Sequence, residues 1–293
     1  MIGVGIVLTP DEPTLELLEP LARDEVDYYE VAPETLWRTA GDDRSRPNGF
    51  HRRFLALGES TGRPFVAHGV GLSLAGDSLA DRARQRRWLT RIAADHARFK
   101  FRWYTDHLGI SAPDGEAIAL PLPPPMTAHA ACVVARGLRR LAGVLPGVAV
   151  GVENTAHTFV LGKPLDEPGF IASVLRGPRA RLLLDLHNVY TMAINMGFEA
   201  RRYVDRLPLD KVIEIHVSGG SWSNPAWLPS RRRLRLDSHD GAVPEPVWDL
   251  LAYCRRRCTG LRGATLERIE GSVTATDVPL LRDELRRLKK ALA

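Results

Sequence analysis

The first eight residues, Met1-Ile2-Gly3-Val4-Gly5-Ile6-Val7-Leu8, decide between two α/β architectures. An apolar run this short reads as a first strand when the chain behind it alternates apolar runs with amphipathic stretches. A doubly wound open sheet would place a glycine-rich phosphate loop directly after such a strand. Gly3 and Gly5 instead lie inside the run, and no third glycine follows at the required spacing. The pattern favours a closed barrel.

Seven more apolar runs follow, at 26–31, 64–70, 99–105, 148–152, 182–184, 211–217 and 263–266. Between and after the eight lie amphipathic segments near 13–23, 46–60, 78–98, 126–142, 166–175, 199–206, 244–258 and 276–291. Cap-type residues open several of them: Thr9-Pro10-Asp11-Glu12, Thr127 and Asp277. Eight strands, each followed by a helix, predict a (β/α)8 TIM barrel. A chain of 293 residues suits one such barrel. No linker composition interrupts it, and Pro121-Leu-Pro-Pro-Pro125 reads as a rigid loop. The expectation is one domain, residues 1–293.

Composition excludes several classes. The 44% hydrophobic and 26% charged content is that of a soluble globular protein. No apolar run is long enough to span a bilayer. Residues 1–8 lack the basic start and small-residue cleavage site of a signal peptide, so a cytoplasmic location is expected. Cys132, Cys254 and Cys258 make no disulfide framework or zinc knuckle. They read as small hydrophobes or spare thiols in a reduced compartment. The net charge of +5 comes mostly from arginine. Arg82-Ala-Arg84-Gln-Arg86-Arg87 reads as a solvated helix face. Arg231-Arg232-Arg233-Leu234-Arg235 stands apart because it lies just before Asp237-Ser238-His239.

Barrel chemistry sits at the C-terminal ends of the strands, and those ends are rich in ligand-type residues. Strand two ends at Glu30, with Glu34 beyond, strand three at His68 and strand four at Asp106-His107. Strand five gives Glu153-Asn154, strand six Asp185-Leu-His187-Asn188 and strand seven His216. The loop after it carries Asp237 and His239, and strand eight ends at Glu267. Each has an ordinary alternative: a core histidine, a capping aspartate, a glutamate paired with arginine. With 35 acidic residues and nine histidines in 293 positions, about one residue in seven is of this type. Seven successive strand ends closed by such residues exceed chance. Burying so many carboxylates together is costly without cations, and a multinuclear metal centre removes that cost. The donors are nitrogen and oxygen, which suits zinc, iron or manganese, and their number implies two or three ions, with Glu153 and Glu267 as the natural bridging carboxylates.

These residues resemble a known family. His68-Gly-Val-Gly-Leu-Ser73, Asp106-His107-Leu108, Glu153-Asn154, Leu184-Asp185-x-x-Asn188-Val-Tyr190 and Asn195-x-Gly-Phe198 occur in order. Glu214-Ile-His216, Asp237-x-His239 with Val243-Pro-x-Pro-Val-Trp248, and Leu266-Glu267 complete the set. The chain is thereby similar, over nearly its whole length, to the MbnB/TglH/ChrH-like multinuclear non-haem iron enzymes of the xylose-isomerase-like barrels. The resemblance implies two or three irons that use dioxygen to oxidise cysteine residues of a ribosomally synthesised precursor peptide presented by a partner protein. It implies metal ligation by His68, His107, Glu153, Asp185, Asn188, His216, Asp237, His239 and Glu267, with Asp237, His239 and Glu267 expected to be catalytic. The lack of a long apolar run and the placement of most arginines on outer helices lead to the expectation of no membrane and no nucleic-acid partner. Arg231–Arg235, Trp222 and Trp227 would help dock the peptide or its presenter.

The same ordered set resembles the trinuclear zinc endonucleases and sugar isomerases of that superfamily, so a zinc- or manganese-dependent phosphodiesterase or isomerase is the alternative. Those endonucleases carry a histidine at the position of Asn188. The iron family usually has Asn-Asn where this chain has His187-Asn188, so His187 is a departure. Strand alternation predicts that it points outward. A non-catalytic scaffold fits poorly, because structural sites are closed and four-coordinate.

Overall fold

A computed structural model describes residues 2–37, 47–118, 120–157, 159–163 and 166–293. Eight parallel strands close into a barrel in sequence order: β1 Gly3–Leu8, β2 Tyr28–Val31, β3 Phe65–Gly69, β4 Trp103–His107, β5 Ala149–Glu153, β6 Ala180–Asp185, β7 Val212–Val217 and β8 Gly263–Leu266. β1 closes the ring by pairing with both β2 and β8. The helices are α1 Glu12–Asp24, α2 Gly49–Thr61, α3 Leu79–Phe99, α4 Ala128–Val144, α5 Glu167–Val174, α6 Leu186–Met196, α7 Ala200–Val204, α8 Glu245–Arg255 and α9 Val278–Leu292. Arg46, the predicted start of the second helix, lies outside the described residues. Among the described residues no helix is long and apolar enough to cross a membrane.

Alternation along the strands separates two environments. Ile6, Leu8, Tyr29, Val31, Val150, Val152, Ile215 and Val217 join the large core shared with the helices. Tyr28, Val66, Trp103 and Ile213 form a second, smaller cluster. Gly5 and Gly263 make room for the Tyr28 ring, since a Cβ at either position would run into it. Gly5→Ala is therefore expected to cost about 1–3 kcal/mol by overpacking. Thermal unfolding should shift down by several degrees, and an unchanged midpoint would contradict this account of the glycine.

Three sequence expectations change. The fourth strand, predicted at 99–105, runs instead from Trp103 to His107, because α3 continues to Phe99 and ends on Lys100 in the left-handed region (φ 54°). The segment after β6, expected to be extended, is the helix α6, started by the Asp185 side chain accepting from Asn188 N at 2.7 Å. Arg84, read as part of a solvated face, is buried over Trp88 at 3.7 Å and donates to Gly71 O.

Candidate metal centre

The C-terminal ends of the strands bring a ring of imidazoles and carboxyls together inside the barrel mouth. His68, on the inward face of β3, is held through Nδ1 at 3.0 Å by Thr105 Oγ1, its neighbour on β4. Its Nε2 then faces Glu153 Oε2 at 3.4 Å, and His107 Nε2 approaches the same oxygen at 3.1 Å. In the tautomer whose Nδ1 donates to Thr105, His68 Nε2 presents a lone pair to the Glu153 carboxyl. Both atoms are buried without a hydrogen-bond partner. Two acceptors at that distance attract only with a cation or a proton between them.

His216 occupies the middle of the ring. Its Nε2 lies 3.0 Å from Glu30 Oε2, and its Nδ1 lies 3.0 Å from Glu267 Oε2 and 4.0 Å from Asp185 Oδ2. Asp185 has a double role: Oδ1 caps α6, whereas Oδ2 is buried and unpartnered. Asn154, just after β5, clamps it, exchanging two hydrogen bonds with the Asp185 backbone. Asn188 donates to Glu153 Oε1 and Asn154 O, which leaves its own Oδ1 buried and unpaired.

Asp237 and His239 arrive from the loop after β7. Trp222 and Arg235 pair as an antiparallel bridge, and Ser221 binds Ser238 and Asp240, folding the loop over the mouth. His239 takes a left-handed conformation (φ 50°), an uncommon one for a side chain with a Cβ. Its Nε2 lies 2.7 Å from Asp237 Oδ1, and its Nδ1 lies 3.6 Å from Glu267 Oε2. Among the described residues, four triads place ligand-type atoms within 4.8 Å of one another: His68/Glu153/His216, Glu30/His216/Glu267, Asp185/His239/Glu267 and His187/Asp237/His239.

The metal-free electrostatics show what such crowding does. Burial and neighbouring carboxylates push Asp185 well above its ordinary range. Burial pushes Glu30 up likewise, against the pull of His216, and Glu153 reaches about 7. Burial holds His68 down at about 3. His216 and His239 go the other way: burial opposes their charge, but Glu30 and Glu267 for the first, and Asp237 and Glu267 for the second, outweigh it. Asp237 and Glu267 fall below the carboxylate range because these imidazoles overcome their burial. Among the described residues, the ion-pair partners of these carboxylates are all histidines. Protons occupy places that cations could take.

All nine residues expected as ligands lie in this mouth. Two more join them. Glu30 was legible as the end of strand two, and the structure puts it against His216. His187, predicted to point outward, is fully buried with Nδ1 3.1 Å from Asp237 Oδ1, because it sits on a helix where strand alternation does not apply. Glu34 and Asp106 lie elsewhere. Glu34 braces the Val70 and Gly71 amides after β3, and Asp106 is buried with Tyr104 on the alternate positions of β4. Beneath the ring, Glu214 accepts from Tyr28, Thr265 and Trp103 at 2.6–2.8 Å, a fully paired floor that sequence reading saw only as part of a motif.

The arginine block borders the same mouth. Asn195 pins it to α6 through two hydrogen bonds with the Arg235 backbone, and the Arg235 guanidinium lies between Tyr190 and Trp222. Trp227 is exposed in the same loop.

The parallel eight-stranded barrel is the TIM-barrel fold, and solved structures share it. D-psicose 3-epimerase, solved in the presence of D-fructose, matches with a TM-score of 0.61 at 13% identity, covering 99% of this chain and 97% of that one. Endonuclease IV from Thermus thermophilus matches at 0.58 and 15%, covering 97% and 98%. At these identities the likeness is one of fold. The chain belongs to the MbnB/TglH/ChrH family of RiPP precursor modification enzymes, whose family model matches residues 3–293. A UPF0276 protein of Pseudomonas aeruginosa is 32% identical over 277 residues, 94% of this chain and 89% of that protein.

Proposed function

We propose that this protein is a multinuclear non-haem iron enzyme that uses dioxygen to modify cysteine residues of a ribosomally synthesised precursor peptide, with a partner protein presenting that peptide. The observation that carries the metal half is the unpaired facing of His68 Nε2 and Glu153 Oε2, set among buried carboxylates with no lysine or arginine partner among the described residues. Family membership supports the peptide half.

His68, His107, Glu153, Asp185, Asn188, His216, Asp237, His239 and Glu267 would hold two or three ions. All-nitrogen-and-oxygen donors suit iron, with zinc or manganese as the competing metals. Bound iron would supply Lewis acidity that favours the thiolate form of a substrate cysteine, and redox chemistry with dioxygen. The chain's own groups set the stage for it. Thr105 fixes the His68 ring, as an outer partner of a ligating histidine does. Asn154 holds the Asp185 backbone, and the Asp185 cap fixes the first turn of α6, hence Asn188. Glu267 and Asp237, kept ionised by His216 and His239, receive protons poorly and stay available as donors. Arg235, Trp222 and Trp227 offer a cationic and aromatic rim for a peptide.

The test is direct. Purified protein should contain iron and consume dioxygen with a cysteine peptide, giving a mass change confined to cysteine. Loading with zinc alone, and no dioxygen uptake with any thiol, would overturn the reading. Cleavage of abasic duplex DNA would replace it with the hydrolytic alternative.

A further inference from the structure

We infer that His187, Asp237 and His239 form an outer site for a divalent transition metal, with the His187 imidazole as a direct ligand. The inference rests on the metal-centre reading above and goes beyond its nine ligands. Three observations carry it. First, His187 Nδ1 and His239 Nε2 converge on a single oxygen, Asp237 Oδ1, at 3.1 and 2.7 Å. All three ligand atoms lie within 4.8 Å of one another. One carboxylate oxygen serving two imidazole nitrogens is the arrangement a shared cation would occupy.

Second, the His187 ring is placed there by the backbone, not by its own sequence neighbourhood. The Asp185 cap starts α6 at Leu186, so the helical turn points residue 187 into the mouth. Gly220 closes over the ring: a Cβ there would lie 3.0 Å from His187 Cε1. The side chain is fully buried, yet its Nε2 has no partner.

Third, the site differs in kind from the layer below. Asp237 and His239 side chains keep 26% and 20% of their exposure, against 0% and 1% for His216 and Glu30. As ligands, two imidazoles and one carboxylate would bring one negative charge and leave coordination positions open toward solvent. That donor set matches a two-histidine, one-carboxylate face, which suits iron(II) and its divalent neighbours. An ion held there would be the most exchangeable of the set and the one nearest the arginine rim.

Cobalt(II) supplies a readout independent of activity. Chelator-treated protein is titrated with Co2+, and the bound equivalents are counted by elemental analysis after desalting. His187→Asn should weaken the weakest site at least tenfold, while the tighter equivalents stay unchanged. His187→Cys gives the deciding measurement. A thiolate at position 187 that reaches the metal produces a thiolate-to-cobalt charge-transfer band, absent from the wild-type protein with its three native cysteines. A cobalt-loaded His187→Cys protein without that band overturns the inference and leaves the deeper ligand set standing. A wild-type protein that takes up no cobalt, iron or zinc overturns the metal-centre reading as well.

Discussion

His216→Ala is expected to empty the buried layer of the site and to lower activity by at least a thousandfold. The imidazole contacts Glu30 and Glu267 at 3.0 Å, approaches Asp185 at 4.0 Å and packs its ring 5.2 Å from His68. Its removal takes one ligand from two of the four triads. In metal-free protein it also strands Glu30, which is buried and has His216 as its hydrogen-bond partner. Breaking a buried pair from one side costs about 3–5 kcal/mol. At roughly 2–4 °C per kcal/mol for a domain approaching this size, the metal-free variant should melt at least 6 °C lower. The two effects separate by measurement. Elemental analysis reads the lost metal, and chelator-treated samples compared by calorimetry read the lost pair. A variant that loses stability but keeps its metal and its turnover would make His216 a packing residue and the site a scaffold.

How much of this was readable in the chain follows from what each residue depends on. Strand ends carrying His68, His107, Glu153, His216 and Glu267 were legible because a buried parallel strand is apolar until its active end, so a terminal polar residue stands out. The fourth strand was misplaced because Phe99, Phe101 and Trp103 alternate as strand residues do. Phe99 and Phe101 in fact stack on each other at 5.6 Å, and only Trp103 begins the strand. The helix α6 was missed because Val189, Tyr190 and Thr191 are weak helix formers. A single Asp185 cap and the packing of Val189 and Met192 override that preference. The position of His187 follows directly from that helix, so neither is legible without the other. Glu30 is legible as a strand end but its partner is not, since its meeting with His216 joins residues 186 apart, across the barrel. Pairwise distance across a closed sheet is the quantity a strand pattern does not contain.

The remaining large effect is the stabilisation by metal and its dependence on pH, whose sign the metal-free site determines. Glu30 and Asp185 are raised well above their ordinary values, and Glu153 to about 7, chiefly by burial. The folded, metal-free state therefore holds protons that the unfolded chain has already released, and these groups make folding less favourable as pH rises from their unfolded values toward their folded ones. His216 and His239 are raised by their carboxylate neighbours despite burial. Their contribution is fully present below the unfolded histidine value and is lost as pH rises through the folded one. Asp237 and Glu267 are lowered, so theirs persists above the unfolded carboxylate value and is lost only in strong acid. His68, held at about 3, is the counter-case: its contribution declines as pH falls below the unfolded histidine value. If metal takes the places of the protons on Glu30, Glu153, Asp185, His216 and His239, its affinity rises with pH. One displaced proton changes affinity about tenfold per pH unit, or roughly 1.4 kcal/mol. With free metal about a thousandfold above its dissociation constant at pH 8, each site adds about 4 kcal/mol. At pH 6 a single linked proton reduces that to roughly 1.4 kcal/mol per site. Melting curves with and without chelator should therefore converge between pH 8 and pH 6. Calorimetric titration in buffers of different ionisation enthalpy should show proton release on binding. If the metal-induced shift stays flat across that range, metal does not take the place of these protons, and the carboxylates and imidazoles of the ring are not its ligands.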